Sequence, residues 1–323
     1  MDKREFPGVK ALARKTFFRL FCVTVDGVSK NRVANISHVY ANLMGPPGFK
    51  PAAEVGITVI PGNYFIMSHG APGIFRAGGH FFSVGRMPAD RHVNRSGVIT
   101  DEQLTTLVKY IKTRKNVVLK GVFSHEGHSY KASDAKNCKE VAEESYRRTL
   151  RAADMIRDLG VEIDTISIGA TPSIMNGAFI KGITELRLGT YIFMDAGQAN
   201  AIQDFSQCAA TVLATVISKP TDERVVLDAG AKALVSQNRD SGICSTNGFG
   251  YVKNSNGVRI AGLFDEHGLI YDKNFREKIQ LGDKIEVIPS HVCPTVNLYD
   301  KAYFVSRGQI LEEHPILCRG KSQ

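Results

Sequence analysis

The sequence predicts an α/β fold: a parallel sheet, part of a barrel or of a doubly wound sheet, followed by a mostly antiparallel β domain. Three observations carry this. Strands alternate with helices between about residues 98 and 195, which is the rhythm of βαβ units. After about residue 200, short strands separated by Gly, Asn, Asp and Pro take over and helical periods become scarce. The 323 residues, 43% hydrophobic and 23% charged, suffice for one large α/β domain or two ordinary ones with a full core.

In chain order, Thr100-Asp101-Glu102 opens a helix over Ile99–Lys112, with Leu104, Leu107, Val108 and Ile111 on one face. Asn116–Phe123 (NVVLKGVF) reads as a buried strand. A long amphipathic helix follows over about Asp134–Leu159, with Val141, Tyr146, Leu150, Ala153 and Ile156 inward and Gly160 as its stop. Val161–Ile168 and Leu186–Phe193 are the next strands. In the second domain the strands are Ala209–Ile217, Arg224–Leu227, Val258–Phe264, Lys284–Ile288 and Ala302–Val305. The rhythm breaks near Asp195–Asp204, which gives domains 1–198 and 199–323. Residues 1–85 take no regular βα repeat, because Gly and Pro punctuate them heavily (Gly45-Pro46-Pro47-Gly48, Gly70-Ala71-Pro72-Gly73).

Charge and cysteine usage exclude several classes. The net charge is +9, and much of the excess lies early, at Lys3, Arg4, Lys10, Arg14, Lys15 and Arg19. Elsewhere the two signs are interspersed, with none of the aromatic-basic motifs of a nucleic-acid binder. The charge reads as a solvated surface suited to anionic ligands. No apolar run approaches the roughly 18 residues of a membrane span, since Arg19 breaks the longest candidate, Phe17–Val25. The six cysteines are scattered without a C-x-x-C pair, and no secretory signal is evident. Reduced thiols in the cytoplasm are the expectation.

Four segments carry chemistry. Ser290-His291-Val292-Cys293-Pro294-Thr295 follows a strand, and in an extended segment His291 and Cys293 point to the same side. Imidazole and thiolate suit zinc, and two ligands leave positions open for water or substrate. From spacing alone, a buried Cys beside a hydrogen-bonded His is the commoner arrangement. His125-Glu126-Gly127-His128-Ser129-Tyr130 follows another strand, where α/β active sites collect. His128 and Tyr130 are candidate acid–base or stacking groups, against the alternative of a plain polar loop. Ser167-Ile168-Gly169-Ala170-Thr171-Pro172-Ser173 and Gly189-Thr190-Tyr191 offer backbone N–H groups and hydroxyls to an anion, although simple turns look the same.

Taken in order, these segments resemble one family. They are Asp90-x-x-x-x-Arg95-x-Gly97-Val98, HEGHSY (125–130), SIGATPS (167–173), ELRLGTYIFMD (185–195), VLDAGAKALVSQ (226–237), DEHG (265–268) and SHVCPTVNLYD (290–300). The set is similar to the D-serine dehydratase and D-threonine aldolase family from about Asp90 onward. That family consists of pyridoxal-phosphate enzymes with an alanine-racemase-like fold, a TIM barrel followed by a β domain. The resemblance implies Arg95 at the cofactor's phenolic oxygen. It also implies Gly169, Thr171, Gly189 and Thr190 at the phosphate, Tyr130 beside the ring with Tyr191 nearby, and zinc on His291 and Cys293.

The implied activity is a lyase on D-3-hydroxyamino acids, with D-serine dehydration to pyruvate and ammonia favoured by the HVCPTVNL form. The implied assembly is a homodimer, with no nucleic-acid or membrane partner. D-threonine aldolase-type cleavage is the alternative, as is a catalytically impaired or truncated member. The last reading arises because no Lys here is preceded by Pro-His, as in the family's Pro-His-x-Lys-Thr-x-Lys motif. By position the candidate lysines are Lys3, Lys10 and Lys15. In addition, Asp90-Arg91-His92 replaces the family's Asp-x-Gly.

Overall fold

The computed structural model describes residues 97–114, 117–317 and 319, together with the backbone of residues 20–24. Arg95, Lys3, Lys10, Lys15 and most of 1–85 lie outside the described residues. Those described divide into two compact units, one within 97–189 and the other comprising the strand at 20–24 and the chain from Thr190 onward.

The first unit begins with α1 (Asp101–Lys112), whose entry is a capping box. The Thr100 hydroxyl accepts from the Gln103 amide at 3.2 Å, and the Gln103 side chain accepts from the Thr100 amide at 3.2 Å. Strand β2 (Gly121–Phe123), helix α2 (Ala135–Asp158), β3 (Thr165–Ile168), the short α3 (Thr171–Met175) and β4 (Glu185–Leu186) follow. The strands pair in parallel in the order β2-β3-β4, as βαβ alternation requires. Asp134 caps α2 by accepting the Asn137 amide at 2.8 Å, and Gly160 at φ +73° ends it. Leu104, Val108, Ile111, Val122, Ala153, Ile156 and Ile166 form the core between helices and sheet. On α2, Val141 and Leu150 are only partly buried, whereas Ala142, Tyr146 and Thr149 are buried, so the inward stripe sits slightly rotated from the expected one.

The second unit is built on a curled sheet ordered β12-β11-β1-β5-β6-β9-β8, with β10 pairing to β5 and β7. Its strands are β1 (Leu20–Thr24), β5 (Ala210–Ser218), β6 (Arg224–Leu227), β7 (Gly250–Val252), β8 (Gly262–Leu263), β9 (Gly268–Tyr271), β10 (Lys284–Pro289), β11 (Lys301–Ser306) and β12 (Gln309–Pro315). All pairings are antiparallel except β1 with β11. Three short helices, α4 (Ala196–Ile202), α5 (Lys273–Lys278) and α6 (Val292–Val296), interrupt it. Val212, Ala214, Val216, Leu227, Ile260, Ile270 and Val287 lie in its core.

Two local expectations fail. The strand predicted over Leu186–Phe193 ends at Leu186, and Thr190–Ile192 is a 3-10 turn. The chain then turns back, the Met194 amide donating to the Thr190 carbonyl at 2.8 Å in an i→i+4 bond, with Met194 in the left-handed region at φ +56°. Strands β7, β9 and β12 were not expected. They are short or, in β12, carry exposed Glu312 and Glu313, so their alternation is weak. Among the described residues no helix is long and apolar enough to cross a membrane.

A side chain at Gly121 would put Cβ 2.1 Å from the Thr165 carbonyl oxygen on the neighbouring strand. Gly121→Ala is therefore expected to cost about 2–3 kcal/mol in urea denaturation, against about 1 kcal/mol for Thr100→Ala, which removes only a cap.

Candidate functional site

The predicted site residues fall into two groups, one in each unit. In the first, the loop after β2 is fastened onto the loop after β3. The Ser124 amide donates to the Ser167 carbonyl at 3.0 Å, and the His125 Nδ1 contacts the Gly169 carbonyl oxygen. Gly169 itself is required by chain packing, since a Cβ there would lie 2.4 Å from the Arg187 carbonyl oxygen. Ser173 donates to the Ser129 hydroxyl at 2.9 Å, closing the second tie between the loops. Thr171 is buried as the first residue of α3. The ring of Tyr130 lies 6.2 Å from that of His125, centroid to centroid. His128 turns toward α2, its Nε2 3.3 Å from the Ser145 hydroxyl. This gives His128 a partner on a helix rather than an open face.

Sequence reasoning gave no role to Glu126, which is fully buried in the same loop. The Tyr146 hydroxyl donates to its Oε1 at 3.1 Å, whereas Oε2 has no hydrogen-bond partner among the described residues. Burial raises its pKa above the usual carboxylate value, and raises that of Tyr146 beside it. Arg187 crosses the strand ends. Its Nε donates to the Ser167 hydroxyl at 2.7 Å, its Nη2 to the Ser124 carbonyl at 2.5 Å, and its guanidinium stacks 4.4 Å from the Phe123 ring centroid.

In the second unit, the segment carrying His291 and Cys293 differs from the expected extended form. His291 is extended at φ −142°, but Cys293 already lies in the first turn of α6. The alternation argument for a shared side therefore lapses, because a helical turn rotates successive side chains by about 100°. Other contacts place the two side chains. The Cys293 Sγ is 3.8 Å from the Thr190 hydroxyl, and the His291 Nδ1 is 3.1 Å from Gln237 Oε1. Gln237 Oε1 can only accept, so Nδ1 carries the proton and Nε2 keeps a lone pair. Burial and then the Arg239 charge lower the His291 pKa to about 4, so the ring is neutral at pH 7. Cys293 reaches solvent, while the protein packed around its thiol, and then the Asp195 carboxylate, raise its pKa.

Asp195 underlies this arrangement and was missed as a functional residue, although it closes the ELRLGTYIFMD motif. It is fully buried. Its Oδ1 accepts the Gln198 amide at 2.9 Å as the cap of α4, and its Oδ2 accepts the Val292 amide at 3.1 Å. Arg239 Nη1 stands 3.8 Å from Oδ1.

The chemistry of these donors fits the groups implied by the resemblance. An imidazole with one nitrogen held by a hydrogen-bond partner, and a solvent-reaching thiol, are both of the donor types that bind zinc. No group of three or more His, Cys, Asp or Glu suited to a metal occurs among the described residues. Among the described residues, no atom lies within 4 Å of where a Cβ at Gly189 would stand.

Two family models match consecutive parts of the chain. The alanine racemase N-terminal domain matches residues 88–197 and the serine dehydratase domain matches 209–305. The chain belongs to the D-serine dehydratase and D-threonine aldolase family. It is 30% identical over 233 residues to the D-threonine aldolase of Arthrobacter sp., covering 71% of this chain and 59% of that one. It is 31% identical over 205 residues to the D-serine dehydratase of Dictyostelium discoideum, covering 58% and 50%. The structure of D-threo-3-hydroxyaspartate dehydratase from Delftia sp. HT23 superposes with a TM-score of 0.64 at 24% identity, covering 73% of this chain and 65% of that one. A variant of that dehydratase with one cysteine changed to alanine is a metal-free form. The fold is thus the alanine-racemase-like one, a TIM barrel with a β domain, and the chain spans 50–59% of the length of the two curated relatives.

The Glu126 carboxyl yields a pH test within this family fold. Its folded-state pKa lies above the unfolded one, so its favourable contribution is full below the unfolded pKa and is lost as pH rises through the folded value. Glu126→Gln removes that loss. It is expected to gain about 1–2 kcal/mol at pH 7–8, with the gain vanishing near pH 4. Thermal unfolding of both proteins across this range checks it, and a pH-independent difference would show that the carboxyl is not held in the protonated form by burial.

Proposed function

We propose that this chain acts as a pyridoxal-phosphate- and zinc-dependent lyase on D-3-hydroxyamino acids, with D-serine dehydration to pyruvate and ammonia as its main reaction. The observation that carries this reading is the 3.8 Å approach of the Thr190 hydroxyl to the Cys293 sulfur, across 103 residues of sequence. It sets the Gly189-Thr190-Tyr191 turn, the phosphate segment of the resemblance, against the imidazole–thiol pair. Relatives named as a dehydratase and an aldolase, 31% and 30% identical, support lyase chemistry on D-hydroxyamino acids and divide over which bond breaks.

Bound here, the cofactor would supply an electron sink for a Cα carbanion and zinc would polarise the β-hydroxyl. The chain's own residues have separable tasks. The Thr190 hydroxyl and the backbone at Gly189 would bind phosphate by the resemblance, as would the turn carrying Gly169 and Thr171. By the resemblance, Tyr130 would lie beside the cofactor ring with Tyr191 nearby, and Arg95, outside the described residues, would meet the phenolic oxygen. The Nε2 of His291 would hold the metal, with Nδ1 facing Gln237, and Cys293 would bind it as thiolate. A lysine would take the Cα proton, and the candidates by position, Lys3, Lys10 and Lys15, lie outside the described residues.

Two measurements test the proposal. Added pyridoxal phosphate followed by borohydride reduction should leave one modified lysine on peptide mapping, and an unlabelled chain would argue for an impaired member. D-serine should give pyruvate and ammonia, abolished by a chelator and lowered about 100-fold or more in His291→Ala or Cys293→Ala. Glycine and an aldehyde from D-threonine would favour the aldolase reading, and no product from any D-3-hydroxyamino acid would defeat both.

A further inference from the structure

The His291–Cys293 turn is gripped from two directions. On one side stands the loop at Gln237–Arg239. The Gln237 carbonyl accepts from the Ser290 hydroxyl at 2.9 Å, and its side chain meets His291. The loop is closed on itself by the Arg239 amide donating to the Thr246 hydroxyl at 3.0 Å and the Thr246 amide donating to the Arg239 carbonyl at 2.8 Å. On the other side stands Asp195. Its Oδ2 accepts the amide of Val292, the residue between His291 and Cys293, while its Oδ1 is committed to the start of α4. The guanidinium of Arg239 lies over Gly197, where a Cβ would be 2.1 Å from Nη1, and so joins the two grips.

We propose that Asp195 is a positioning residue for the His291–Cys293 pair, its two carboxylate oxygens fastening the turn that carries both side chains to the start of α4. The proposal rests on the reading of those two residues as metal ligands. The physical argument is geometric. A hydrogen bond to the Val292 amide fixes the peptide plane between His291 and Val292, and so constrains the backbone from which both neighbouring side chains leave. The same carboxylate closes α4 immediately after Met194 in its left-handed conformation, so the Thr190 turn and the Cys293 turn share one anchor. An orienting group of this kind changes metal affinity by about 10–100-fold in known sites. No smaller acceptor serves both donors. The amide of an asparagine would accept with one atom and oppose an N–H with the other.

The test uses Co2+ as probe, because a cobalt–thiolate bond gives a charge-transfer absorption that reports on Cys293 directly. Asp195→Asn should bind Co2+ about tenfold more weakly than the parent protein, with a shifted charge-transfer band. In metal-free protein, amide exchange in peptides spanning 288–298 should accelerate in the same variant. Asp272→Ala serves as the control. Asp272 caps α5 by the same kind of bond, accepting the Phe275 amide at 2.8 Å, but does not touch the turn. It should lower the unfolding temperature and leave both readouts unchanged. If Asp195→Asn keeps the parent's cobalt affinity, spectrum and exchange rates, or if Asp272→Ala reproduces its effects, the positioning role is overturned. If the parent protein itself takes up no Co2+, the ligand reading fails and the proposal falls with it, an outcome separable from the first two. Asp195→Ala, where it folds, should exceed Asp195→Asn in both readouts.

Discussion

A carboxylate without access to water has to be given hydrogen-bond donors, and the second unit is organised around meeting that demand at Asp195. The donors come from far apart in sequence, the Gln198 amide three residues on and the Val292 amide ninety-seven residues on. Satisfying one buried group thereby joins the end of the Thr190 turn to the beginning of α6. The residues with chemical potential, Thr190, His291 and Cys293, all lie within five residues of one of these bonded points. The apolar packing of β5, β6, β9 and β10 makes the domain stable, but it would tolerate a range of loop conformations. The buried acid is what selects one.

The first unit answers a comparable demand in another way. Glu126 receives one hydrogen bond from Tyr146, itself buried, and sits under a loop whose neighbours Ser129 and Ser173 bond to each other. Short hydroxyls and backbone carbonyls link the two strand-end loops, with Arg187 lying across them. Such a network is costly if left partly satisfied, and it rigidifies the loops in proportion to how completely it closes. The strand ends of a parallel sheet are where binding loops gather, so rigidity is concentrated where a ligand would be read.

Much of the fold was legible because its elements are long or strongly patterned. Helix α2 announced itself through periodicity, an Asp cap and a Gly stop, and β5 and β6 through apolar runs. What stayed hidden was short or depended on distant partners. The Thr190 turn looked like the continuation of a strand, since Tyr191-Ile192-Phe193 is as apolar as any strand here, and only the Thr190–Met194 backbone bond reveals otherwise. The site was legible as residue types but not as geometry. His291 and Cys293 could be picked out from their chemistry. Their orientation could not, because it follows from Gln237, Thr190 and Asp195, which no local pattern connects to them. Asp195 stood inside a recognised motif, yet a helix-capping Asp and an anchoring Asp look identical in sequence.

One feature of the sheet bears on how the molecule comes to exist at all. Strand β1 lies between β5 and β11, pairing Leu20 with Leu213 on one side and Cys22 with Tyr303 on the other. An interior place in the sheet is thus reserved for a segment synthesised long before either neighbour. Until β5 emerges from the ribosome, β1 has no partner for its backbone amides and carbonyls. Until β1 arrives, β5 and β11 each present an open edge. Such long-range closure slows folding, and the waiting segment is a natural point for chaperone capture or misassembly.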